Sequence, residues 1–182
     1  MKKAIVMAVA CTSIIASGVA LSHEKSSFAR SPAVVSSIPS EYKLVKHLVD
    51  KNRDVYAYEK KQDQLNYERY LVSGFSGPAQ PDTNNFVSTT ISKMEKVCPS
   101  GFSSYEPESG TGVSAGTSFV TKCDNFKDGS GVAHSVVTAV KYSKNANSVY
   151  EVKWFKYSEP SSGELTSAEK ELAMKALGEV NI

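Results

Sequence analysis

Cysteine and histidine are scarce in this 182-residue chain, with three of each. That scarcity removes most metal chemistry. A zinc site needs three or four convergent Cys, His or carboxylate ligands. Here His23, His47 and His134 stand alone, with no C-x-x-C pair and no second histidine at ligand spacing. Neither a metal nor any other cofactor is expected. The chain has no internal repeat, and it lacks an apolar run near the roughly 20 residues that span a bilayer as a helix. Excess charge of one sign is missing too. The first 22 residues hold two of the 21 Lys+Arg and none of the 19 Asp+Glu, so the remaining 160 carry nineteen of each sign. Charges alternate in KNRD, YEKKQD and SAEKE rather than gathering into a basic stripe. This argues against a nucleic-acid partner.

The chain opens with MKKAIVMAVACTSIIASGVALS. Lys2 and Lys3 precede an apolar stretch that ends in small residues, with Gly18/Ala20 or Ala20/Ser22 at the −3/−1 positions. Positive charge, apolar stretch and small-residue exit, in that order, mark a cleavable secretion signal over residues 1–22. The expected location is the periplasm or the exterior, with no transmembrane segment once the signal is removed. An alternative is a lipid anchor at Cys11, since Ala8-Val9-Ala10-Cys11 loosely resembles a lipobox. Removal of Cys11 with the signal leaves two cysteines, and an even count in an exported chain predicts a Cys98–Cys123 disulfide.

Residues 23–39 are rich in Ser, with Pro32 and Pro39, and read as a flexible lead-in to a single domain over 40–182. Residues 41–49 fit either a helix or a strand. The strand is favoured because DKNRD reads as a hairpin turn. Further strands are expected at 55–58, 67–75, 102–107, 117–123, 133–142 and 149–157. A first helix should begin near Asp82, with Val87, Ile91, Met94 and Cys98 on one face, and end at Pro99. A second begins at the T-x-x-E capping box Thr166/Glu169, with Ala168, Leu172, Ala173, Ala176, Leu177 and Val180 as its apolar stripe. Strands grouped apart from two helices predict an α+β fold. The expectation is an antiparallel sheet of about six or seven strands, two α-helices packed on one face, and one disulfide.

Several motifs suggest chemistry. Gly112-Val113-Ser114-Ala115-Gly116 matches the G-x-S-x-G nucleophile elbow, with Asp124 or Asp128 and His134 following in the right order. The elbow needs a strand-to-helix turn, but TSFVTKC follows, a strand pattern. The overlapping Gly110-Thr111-Gly112-Val113-Ser114-Ala115 matches G-x-G-x-x-A, again without the helix that would receive a pyrophosphate. Asp124 to Gly129 resembles the start of a calcium loop, but Phe126 occupies a ligand position and Ser135 stands where a Glu belongs. Glu106 and Glu108 read as exposed acids flanking Pro107. No catalytic residue is assigned.

Aromatics are the remaining feature, with nine tyrosines, several of them clustered. Period-2 alternation over 149–157 puts Tyr150, Val152 and Trp154 on one face and Phe155 and Tyr157 on the other. An exposed Phe155/Tyr157 pair is the type of anchor that protein interfaces use. These observations favour a non-enzymatic exported module that binds another envelope or secreted protein, as an inhibitor, immunity factor or envelope accessory. A small-ligand or lipid carrier is the alternative, and a serine hydrolase built on Ser114 is the third reading.

Overall fold

The computed structural model describes residues 37–50, 53–76, 83–110, 116–144 and 148–180. The secretion signal, Cys11, His23, Asp82 and Ser114 lie outside the described residues. The elements run β1 (Lys43–Asp50), β2 (Arg53–Lys61), β3 (Tyr67–Ser76), α1 (Thr83–Val97), β4 (Ser100–Ser104), β5 (Glu108–Gly110), β6 (Gly116–Lys127), β7 (Ala133–Lys144), β8 (Ser148–Ser158) and α2 (Ser167–Gly178).

All pairings are antiparallel, in the order β1-β2-β3-β8-β7-β6-β4, with β5 also on β6. Residues 41–49 therefore belong to a strand hairpin, as their turn signal suggested. Among the described residues the sheet has eight strands, not six or seven. The expected strand at 102–107 is two short ones, because Pro107 has no N–H to donate to a ladder and separates Ser104 from Glu108.

The helices lie on opposite faces of the sheet, which corrects the expectation of one face. Residues directly opposite in an antiparallel register share a face. Trp154 lies opposite Tyr70 and Ala139, and Ala139 opposite Val120. With Val72, Val137 and Val152 these form the main core, covered by Ala173, Ala176, Leu177 and Val180 of and just after α2. Tyr70 Oη donates to the Ala176 carbonyl (2.8 Å), tying that helix to the sheet. On the other face Phe119 lies opposite Val140, and Val87, Ile91 and Met94 of α1 cover them. Phe86 stacks on Tyr142 at 4.3 Å. The physical reason is that β6 and β7 carry apolar residues at successive positions, so both of their faces need cover.

Both helix ends follow from their sequence. Thr166 Oγ1 accepts from the Glu169 backbone N–H while Glu169 reaches back to the Thr166 N–H, completing the capping box. Ala168 and Leu172, expected on the stripe, are exposed; the buried positions run 173, 176, 177 and 180. The α1 stripe stands as expected, and Cys98 just beyond it bonds Cys123 of β6 across a separation of 25 residues. Ile38, inside the stretch expected to be a lead-in, is 9% exposed and joins the main core with Tyr42. Packing against the sheet therefore begins before residue 40.

Candidate functional site

Of the described residues that sequence suggested for chemistry, His134 and Asp128 meet, and they meet at a hairpin turn. His134 is fully buried. Its Nδ1 meets the Leu65 carbonyl and its Nε2 the Asp128 carboxylate, both at 3.2 Å. Its ring packs edge-on against both of the stacked rings of Tyr67 and Tyr157. Both ring nitrogens are thus engaged, one by a backbone carbonyl and one by a carboxylate. His134 pairs with Phe126 near one end of β6, and Gly110 pairs with Gly116 at the other.

Asp128 organises a hairpin turn rather than a calcium loop. Its Oδ1 accepts from Ser130 N, Ser130 Oγ and Val132 N. Burial alone would raise its carboxyl, but the bonds from Ser130, His134 and Val132 prevail and hold it below the usual carboxylate range. Asp124 lies on the opposite face of β6 from Cys123 and does different work. It is 2% exposed, accepts from Ser135 Oγ (3.0 Å) and Gly163 N (3.1 Å), and is packed against Gly101. Glu106 and Glu108 are exposed, as expected, and Glu108 pairs with Lys170. Among the described residues no group of three His, Cys, Asp or Glu could hold a metal.

The Phe155/Tyr157 pair is not an exposed surface. Tyr157 is 4% exposed and stacks on Tyr67 at 4.1 Å. Phe155 is half-buried in the same cluster with Phe126 and Val136. Alternation assigned the two rings to one face correctly, but that face is covered at this point too. Further along the same face, Glu151 is 2% exposed, with Lys153 Nζ 2.9 Å from its Oε1 as its counter-charge. The approach is not aligned as a hydrogen bond, which leaves Oε1 unsatisfied in that respect.

The exposed apolar surface is elsewhere. Leu44, Val45, Leu48 and Val49 are 53, 54, 42 and 48% exposed, and all lie on β1. Beyond them, Leu172 is the one large exposed apolar side chain among the described residues. β1 is an edge strand, with no described strand on its outer side. A register shift between Leu44 and Lys46 places a bulge at Val45. The strand is held firmly to β2. His47 Nε2 donates to the Asp54 carboxylate (2.7 Å), Tyr56 Oη donates to its other oxygen (3.1 Å), and the His47 and Tyr56 rings stack at 4.1 Å. Asp54 itself is buried, at 6% exposed. Two apolar pairs four residues apart, Leu44-Val45 and Leu48-Val49, were the available signal. They gave residues 41–49 their ambiguous periodicity.

A second feature is a solvent-open groove of about 540 Å³ between α1 and the β5–β6 side of the sheet. Val87, Ile91 and Pro107 give it an apolar floor, and Ser88, Ser109 and Thr117 supply hydroxyls.

No protein family matches the chain, and no curated protein does. Among solved structures it is similar to LpqN, a protein involved in cell envelope biogenesis of Mycobacterium tuberculosis, with 11% identity and a TM-score of 0.43. The similarity covers 79% of this chain and 77% of that one. A likeness this remote supports no argument about function. Among the described residues no helix is long and apolar enough to cross a membrane.

Proposed function

We propose that this chain is an exported, non-enzymatic protein-binding module of the envelope, of the inhibitor, immunity or accessory type, and that β1 is its contact surface. One observation carries the reading: four of the five large exposed apolar side chains among the described residues sit on one unpaired strand edge. Edges of this kind are usually covered or blunted, and an exposed apolar one invites pairing with another chain. The secretion-signal pattern of residues 1–22 and the Cys98–Cys123 disulfide support the compartment. The test is a photo-crosslinking residue placed at Leu48 and, as a control, at Glu171 on the exposed side of α2, with the chain expressed in its own cells. Protein adducts from Leu48 and none from Glu171 are the expected result. No adduct from Leu48 would remove the reading.

The groove beside α1 favours a second reading, a small-ligand or lipid carrier. Its volume suits one small molecule. Native mass spectrometry of the exported protein would show the ligand, and Ile91→Trp would displace it. A bare mass before any such substitution would remove this reading.

A further inference from the structure

From the pattern of β1 we infer that the partner at this edge is a second copy of the chain, paired antiparallel with Leu48 at the two-fold axis. This rests on β1 being the contact surface. A two-fold axis perpendicular to an antiparallel pair forces one residue to face its own copy, and all others to pair at equal distances on either side. The choice of centre is therefore small. Beyond the bulge at Val45, residues 46–50 follow a regular register against Ala57 to Arg53 of β2. They offer five residues of uninterrupted strand to a newcomer.

Charge selects among the centres. Centring on Lys46 would set two lysines against each other. Centring on His47 would set each Lys46 against Leu48 of the other copy and reach back into the bulge. Centring on Leu48 sets Lys46 against Asp50 twice, His47 against Val49 twice, and Leu48 against Leu48. Lys46 makes no ion pair among the described residues, so its charge is available for this role. Opposite charges directly across a strand pair favour the register, and like charges oppose it. The same pairing covers Leu48 and Val49, now 42 and 48% exposed. It would join two sheets edge to edge through the strand that the His47–Asp54–Tyr56 contacts hold firmly in place.

The test uses cysteine chemistry at the axis, in a Cys11→Ser background so that Cys98 and Cys123 remain paired with each other. Leu48→Cys should give a covalent dimer under mild oxidation at micromolar protein, because only the residue on the axis meets itself. Val49→Cys alone should not, but mixed with His47→Cys it should. Lys46→Asp should weaken self-association in sedimentation by roughly thirty-fold, since two attractive pairs become two repulsive ones, and adding Asp50→Lys should restore most of it. A protein that sediments as a monomer at all concentrations, or forms dimers insensitive to both substitutions, overturns the inference. The crosslinker at Leu48 separates this from failure of the wider reading. Adducts with a different protein sink the second copy but keep β1 as the contact surface. An adduct within one chain, to residues 23–36, or no adduct at all, sinks both.

Discussion

Asp124 offers the sharpest test of how the disulfide-linked half of the molecule is held together. Its carboxylate is nearly inaccessible and joins three segments: β7 through Ser135, the loop after β8 through Gly163, and the start of β4 through the close approach of Gly101. Ser161 Oγ donates to Ser135 Oγ (3.1 Å), so the Ser135 proton is committed to Asp124. Replacing Asp124 by Ala strands the buried Ser135 hydroxyl and removes the acceptor of the Gly163 N–H. Each hydrogen bond to a charged group is worth about 1.5–3 kcal/mol, but removing the carboxylate also relieves its own burial cost. We expect a net loss of about 3 kcal/mol. Asn should cost less, about 1 kcal/mol. The amide oxygen can keep the Gly163 N–H, and the Ser135 hydroxyl can rotate to accept from the amide nitrogen and donate to Ser161. Gly101→Ala should resemble the Ala variant, because its Cβ would collide with Asp124 Oδ2 at a φ of +64°. Urea unfolding followed by Trp154, the single tryptophan and 1% exposed, measures all three. A loss under about 1 kcal/mol for Asp124→Ala, or equal losses for Asn and Ala, would refute the argument.

Four further outcomes follow from named contacts. Lys153→Met removes the counter-charge of buried Glu151 and should cost about 3–5 kcal/mol, most of it recovered by adding Glu151→Leu; a mild single-mutant effect in the same urea assay would contradict this. Opening Cys98–Cys123, by reduction or by Cys98→Ser with Cys123→Ser, frees a loop of 25 residues and should cost about 3.5 kcal/mol, seen as a melting temperature lower by about 10 °C. Acid should destabilise the fold through Glu169 and Asp128. For Glu169, burial raises the carboxyl, but the Thr166 cap and Lys122 outweigh it and lower it. A depressed folded-state value gives stability that is present above the unfolded value and lost as pH falls through the folded one, so the urea midpoint should drop below about pH 4.5, and less steeply in Glu169→Gln. The exported protein should stay unlabelled by serine-reactive phosphonates; labelling that Ser114→Ala abolishes would reopen the hydrolase reading.

Much of the sheet was legible because its hairpins carry their own signals. Asp128-Gly129-Ser130-Gly131 turns β6 into β7, and the capping box starts α2 at Thr166. Period-2 alternation correctly separated Val152 and Trp154 from Phe155 and Tyr157, but it says which residues share a face and not what lies over that face. The missing inference was in the doublets. Phe119-Val120, Val136-Val137 and Ala139-Val140 put an apolar residue on each side of the sheet at its centre, a pattern that calls for cover on both. α1 and α2 lie over opposite faces of the central strands, and Tyr157 is enclosed separately, by Tyr67, His134 and Phe155. β1 has the same doublet grammar with the opposite outcome. At the centre of the sheet, doublets are buried twice over. At the edge, where neither helix reaches, Leu44-Val45 and Leu48-Val49 remain exposed on both sides. Sequence gives the doublets, but strand order decides whether they become core or contact surface, and strand order depends on long-range pairings such as β3 with β8 that no local pattern encodes.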